Sequence, residues 1–149
     1  MSQTFRRSVR IRFSHCDAAG IVFHPNYFVL LNDHMEDFWR ECAGFGMGSM
    51  LTSGIGFPVA GVQVDFSAPS RIGDVCVFEL GIARLGTSSV TFAVRVFDEK
   101  TGEVRLRGTE TVVCVRAGNA GMQSTPIPLT LREKLEPYVS AIESAAKRA

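Results

Sequence analysis

The chain reads as an α+β protein in which one long helix is framed by antiparallel strands. Three features predict this. The apolar period changes from two to near 3.6 at about Tyr27, and it returns to two from Val62 onward. The connections LGTSS and DEKTGE are short and polar or glycine-containing, so the strands they join should be consecutive antiparallel neighbours.

Taken in order, Thr4 to Phe13 sets Val9, Ile11 and Phe13 against Arg10 and Arg12, a half-buried strand. From Tyr27 to Cys42, Phe28, Leu31, Met35, Phe38 and Cys42 fall on one helical stripe, which Leu30 and Trp39 widen. Glycines 44, 46 and 48 stop that helix. Val62, Val64 and Phe66 begin the next strand. Cys76, Phe78, Leu80 and Ile82 face inward on the one after, then Val90, Phe92, Val94 and Val96. Glu103 to Val115 makes a further strand whose apolar phase slips near Gly108, which predicts a bulge there. Pro126 and Pro128 end the sheet, and Leu129 to Lys147 reads as a terminal helix, interrupted or delayed by Pro137.

Residues 1–149 show no repeat, low-complexity tract or linker and are expected to form a single domain. A chain of this length can bury roughly 70% of its unfolded surface. A net charge of +1 gives no general pull toward nucleic acid or an anionic membrane. Thirteen of the 16 basic residues are arginine, which suits discrete phosphate or carboxylate contacts. Cys16, Cys42, Cys76 and Cys114 contain no CxxC pair and read as reduced thiols, which points to the cytoplasm. The basic start MSQTFRRSVRIRF lacks the apolar core of a signal peptide. Residues 42–64 are uncharged over a membrane-span length, but six glycines and Pro58 speak against a lipid-facing helix. This segment is expected to be a flexible, partly buried loop running into a strand. One sheet with one helix on its face leaves an open edge, which predicts a homodimer or homotetramer.

The stretch SHCDAAGIVFHPNYF, Ser14 to Phe28, carries the chemistry. From Asp17 to Tyr27 it resembles the D-x-[AG]-G-[IV]-V-[FWY]-[HY]-x-x-Y signature of the 4-hydroxybenzoyl-CoA thioesterase branch of the hotdog-fold family. Acyl-CoA thioesterases of the bacterial Tol–Pal cluster share this signature. The resemblance implies a five-stranded sheet wrapped around a central helix, dimers or tetramers, and hydrolysis of acyl-CoA thioesters. It also implies an oxyanion donor at the backbone N–H of His24.

Physical chemistry supports that use of Asp17. Thioester hydrolysis needs no metal; it needs a carboxylate to attack or to activate water, and donors aimed at the developing oxyanion. Gly20 lets the backbone turn, so Asp17 can face the start of the helix, whose free N–H groups and positive dipole end form such a site. Ile21, Val22 and Phe23 are expected to cover it against bulk water. No cofactor is expected, coenzyme A being part of the substrate.

Other residues have two readings each. Asp17 alone, before Ala-Ala-Gly, would be a turn residue. His24 and Asn26 suit capping or loop fixing, and Tyr27 suits core packing or a pocket wall. His15, Cys16, Asp17 and His24 lack usual metal-ligand spacing, and Asp33, Glu36 and Asp37 read as a solvated helix face. Arg71, Arg84 and Arg107 are candidates for the CoA phosphates, Arg84 being carried as a substrate-binding residue, although each could be an ordinary surface arginine. No phosphate-binding glycine motif is present in a strand-to-helix context.

In the hydroxybenzoyl-specific branch, polar side chains on the helix and before the second strand engage the ring hydroxyl. The matching helix position here is Asn32, and Asp33 points about 100° away. The loop GIGFP puts Phe57 where a hydroxyl residue would sit. Leaving a phenol tip unpaired costs about 1–3 kcal/mol, so an apolar or differently substituted acyl group is expected, walled by Phe57 and Met47 or Met50. Two alternatives stand beside the thioesterase: a hotdog hydratase or dehydratase, and a non-catalytic acyl- or CoA-binding module.

Overall fold

Residues 2–140 are described by the computed structural model. The elements are β1 (Phe5–Arg10), α1 (His24–Glu41), α2 (Met47–Ser53), β2 (Ile55–Gly56), β3 (Val59–Phe66), β4 (Val75–Leu85), β5 (Ser89–Asp98), β6 (Val104–Val113), β7 (Val115–Gly118), β8 (Gly121–Ser124) and α3 (Leu129–Leu135). The main sheet has the order β1-β4-β5-β6-β3, with every neighbouring pair antiparallel. This is the expected α+β hotdog architecture.

α1 fills the inner face of that sheet. Its buried residues are Tyr27, Leu30, Leu31, His34, Met35, Phe38 and Trp39. They lie in two adjacent rows of a helical surface, and Phe28 falls outside them. Phe38 and Trp39 meet the Phe92 ring edge-on at 5.6 and 5.8 Å. Phe78, Leu80 and Ile82 on β4 and Val96 on β5 are fully enclosed beneath the helix. The alternation read along these strands therefore faces the core as expected.

Four expectations are corrected. α1 starts at His24, three residues earlier than Tyr27, because Pro25 is tolerated in the first turn, where its missing N–H is not needed. The uncharged segment 42–64 runs into a strand as expected, β3, but the part before it is not a loop: it folds into α2 and β2. β2 joins β7 and β8 in a second, three-stranded sheet that periodicity did not show. The terminal helix ends at Leu135 and passes into a 3-10 turn at Glu136–Tyr138 around Pro137; its expected remainder, 141–147, lies outside the described residues.

The bulge was also misplaced. Gly108 pairs in register with both Val64 and Val94, whereas the irregularity in β6 lies between Val104 and Leu106, opposite Phe97 and Val96. The inward phase runs unbroken through Leu106, Gly108, Glu110 and Val112. A Cβ on Gly108 would stand 2.1 Å from the Gln63 carbonyl oxygen. What looked like a slip of phase is an inward-facing glycine followed by an inward-facing glutamate.

Candidate active site

The Asp17 segment is a small hydrogen-bonded turn. The Asp17 N–H donates to the Ile21 carbonyl at 3.1 Å, and the Gly20 N–H to the Asp17 carbonyl at 3.0 Å. Gly20 sits at φ +76°, a conformation that glycine adopts freely. Asp17 Oδ1 accepts the Ala19 N–H at 2.8 Å, which fixes the carboxylate, and Oδ2 makes no hydrogen bond among the described residues.

Two bonds fasten this turn to the start of α1. The His15 carbonyl accepts the Phe23 N–H at 3.0 Å and the Asn26 side-chain amide at 2.8 Å. Asn26 is thus a loop-fixing residue. No side chain caps α1, and the His24 N–H makes no hydrogen bond among the described residues. A carboxylate oxygen and an unspent donor at a positive helix end therefore sit on two short segments tied to one carbonyl.

The expected cover is not supplied by the chain itself. Val22 is buried in the core, but Asp17 is exposed and Phe23 is 46% exposed. The reason is geometric: successive residues of an extended segment point to opposite sides, so Val22 and Phe23 cannot shield the same face.

A second layer holds the turn from behind. The Val22 N–H donates to the Ser70 carbonyl at 2.9 Å, and Ile21 bridges to Arg71. Ser70 Oγ accepts the Tyr27 hydroxyl at 2.6 Å. Tyr27 is 4% exposed, so the structure places it in the packed core rather than on the groove wall. Burial pushes the Tyr27 hydroxyl pKa up. Arg105, itself buried, donates to the Pro69 carbonyl at 2.8 Å and pairs with Asp74 at 2.9 Å and Asp98 at 3.2 Å. Asp74 also accepts the Arg71 N–H, which, ahead of Arg105, holds its carboxyl below the usual range.

A groove leads away from this end between α1, β3 and β6. Its near part is lined by Phe28, Val29, Val62 and Glu110, and its far part by Met35, Met50, Phe57 and Val112; Asn32 and Val59 belong to both. Phe57 also stacks on Trp39 at 4.5 Å, and the Met47 side chain lies outside the described residues. The structure thus brings Asn32, Met50 and Phe57 to one cleft. Arg84 is elsewhere: it lies nine residues along β4 from Val75, about 30 Å at strand rise, beside Gly86 and Arg132. Arg71, by contrast, borders the Asp17 turn, and Arg107 lies on the outer face of the sheet opposite Asp65 and Arg95.

Sequence reasoning missed Ser70, Asp74, Arg105 and Glu110. Glu110 has a visible signal, a charge in the inward phase of a strand, which mimics the phase slip of a bulge. Arg105 has none, because the partners that tie it to this site, Asp74 and Asp98, are 31 and seven residues before it, beyond its neighbour Glu103 at 3.0 Å.

No group of three His, Cys, Asp or Glu side chains able to hold a metal occurs among the described residues. No helix among them is long and apolar enough to cross a membrane.

The model of the family described as the thioesterase superfamily matches residues 19–105. The chain belongs to this family. It is a thioester hydrolase by that membership, which favours hydrolysis over the hydratase and binding-module readings. A 1,4-dihydroxy-2-naphthoyl-CoA hydrolase of Nostoc punctiforme is 27% identical over 129 residues, covering 85% of this chain and 82% of that protein. The acyl-CoA thioester hydrolase YbgC of Escherichia coli O6:H1 is 26% identical over 112 residues, 74% of this chain and 81% of that one. In structure, the chain is similar to 4-hydroxybenzoyl-CoA thioesterase from Pseudomonas sp. strain CBS-3. The TM-score is 0.80 at 23% identity, over 89% of this chain and 99% of that one, a likeness of fold.

Proposed function

We propose that this thioesterase hydrolyses acyl-CoA thioesters, with Asp17 as nucleophile or general base and the His24 N–H as oxyanion donor. The observation that carries this reading is the Asp17 turn fastened, through the His15 carbonyl, to the uncapped start of α1. Oδ1 is occupied by the Ala19 N–H, so the free oxygen Oδ2 is presented in one orientation, as a nucleophile or base requires. The donor at His24 is backbone, so stabilising the oxyanion requires no reorganisation. The names of the relatives support coenzyme A as the thiol part, and no further cofactor is needed. Arg71, next to the turn, is better placed than Arg84 to meet a phosphate of the same protomer's substrate.

The working form is at least a dimer, located in the cytoplasm. Asp17 is open to solvent, while β3, an edge of the main sheet, exposes Val59, Val62 and Phe66. A partner chain would cover both.

The acyl group is apolar at the end of the groove away from the carbonyl. Phe57 and Met50 support an aryl or short-to-medium acyl chain over 4-hydroxybenzoyl, since neither offers a hydrogen bond to a ring hydroxyl. A tenfold preference for the 4-hydroxybenzoyl thioester over benzoyl and hexanoyl thioesters would refute this part.

The decisive test is Asp17→Asn, assayed by thiol release from acyl-CoAs. Turnover should fall roughly 10²–10⁴-fold or more, with oligomer and fold retained. Wild-type kcat in the variant would end the assignment of Asp17.

A further inference from the structure

One buried residue, Ser70, reaches both halves of the candidate site. Its carbonyl accepts the Val22 N–H at 2.9 Å, which holds the chain just after the Asp17 turn. Its Oγ accepts the Tyr27 hydroxyl at 2.6 Å, which holds the first turn of α1, three residues past His24. Ser70 is 1% exposed and Tyr27 4%, so both are enclosed and out of reach of a substrate. The Pro69 carbonyl, one residue back, is fixed by the Arg105 guanidinium on β6. The turn that presents Asp17 and the helix end that presents the His24 N–H are thus referred to the same strand frame.

Packing alone does not select this pair. A phenylalanine at 27 and an alanine at 70 fill the same core with no polar atoms to satisfy, and replacing both partners of a buried bond in that way is close to neutral for stability. What the two hydroxyls add is direction. Apolar contacts tolerate a small slide of a helix along a sheet, whereas a hydrogen bond weakens steeply when it is bent. Burial pushes the Tyr27 pKa up, so its hydroxyl keeps the proton that it donates. Without the phenol, Ser70 Oγ retains only the Cys76 thiol, a weak donor at 3.6 Å.

We propose that Tyr27 and Ser70 are positioning residues, whose hydrogen bond sets the separation between the Asp17 carboxylate and the His24 N–H and so acts on turnover without touching substrate. This rests on the thioesterase reading, with Asp17 and His24 in the roles given above. A misplacement of about 1 Å between reacting groups can cost roughly 10²-fold in rate. A bond that fixes their separation therefore matters more to kcat than to folding.

The experiment measures kcat and KM for thiol release from hexanoyl-CoA and benzoyl-CoA, with urea unfolding alongside. It compares the wild type, Tyr27→Phe, Ser70→Ala and the double variant. Each single variant should lose roughly ten- to 100-fold in kcat with KM within about twofold, the pattern of an interaction that serves the transition state alone. The double variant should lose no more than the worse single one, because the same bond is broken in all three. Leu135→Val, a core truncation in α3, is the stability control: it should lower the urea midpoint and leave kcat within about twofold. A lowered midpoint with wild-type kcat in both single variants makes the pair ordinary core and overturns the positioning role. Losses that multiply in the double variant, or an equal loss of kcat in Leu135→Val, overturn it as well. All of these leave the thioesterase reading intact, whereas a wild type that turns over neither thioester ends both. Should Tyr27→Phe not fold, Ser70→Ala decides by the same split.

Discussion

Arg105 is set back from the groove, yet the position of Asp17 depends on it. Its guanidinium holds the Pro69 carbonyl and Asp74, and the loop they belong to pairs with the Asp17 turn through Ser70 and Arg71. Replacing Arg105 by Met leaves Asp74 and Asp98 without their cation in a poorly hydrated place. We expect a loss of roughly 2–3 kcal/mol in unfolding free energy, less than for a fully buried pair because Asp74 is 28% exposed. Urea titration measures it, and an unchanged midpoint would show that the network is decorative. Asp74 adds a pH signature. Its folded pKa is lowered, so its contribution is present above the ordinary carboxylate value and is lost as pH falls through the folded one, below about pH 4. Both arginine and aspartates were invisible as a site, because pairing across strands is not local in sequence.

The contact between α1 and β1 contains a second titrating group. His34 is stacked on Phe5 at 4.8 Å, and its Nε2 donates to the Phe5 carbonyl at 3.2 Å, while Nδ1 has no partner among the described residues. Burial pushes its pKa down from 6.5 to about 4. Between those values the unfolded chain binds more protons than the folded one. Stability therefore falls as pH drops from about 6.5 to 4, by roughly 3 kcal/mol in all, and levels off below that. His34→Phe should flatten this limb while leaving the Asp74 limb at lower pH; thermal melts across that range distinguish the two. The same helix shows how far periodicity reaches. The α1 stripe and strands β4 to β6 were legible because long amphipathic runs have one consistent period and short turns force neighbours to pair. α2, β2 and the hairpin β7–β8 were not, since two to seven residues contain too few periods. At the candidate site, the Asp17 motif was legible as a local run. Its cover was not, because exposure is a property of the assembled surface.

At the scale of the whole molecule, the open edge is the feature on which the proposed assembly rests. β3 shows Val59, Val62 and Phe66 to solvent, and α1 adds Phe28 and Val29 beside them. A charge on this strand should block edge pairing. Val62→Glu is expected to sediment as a 16.3 kDa monomer and to lose most thioesterase activity, whereas the wild type is expected to sediment as a dimer or larger. A fully active monomeric variant would separate catalysis from assembly. The absence of a side chain at Gly108 has a consequence for sequence drift. A Cβ there would meet β3 backbone, with the Gln63 oxygen at 2.1 Å and the Val64 Cα at 2.7 Å. Every amino-acid replacement reachable from a glycine codon by one nucleotide change adds that carbon, so each pushes β3 away from β6 and misaligns the strand on which the proposed dimer is built. In a saturation-mutagenesis library selected for activity, position 108 should be nearly empty of substitutions, including alanine, while the exposed Gly118 near the β7–β8 turn should accept them.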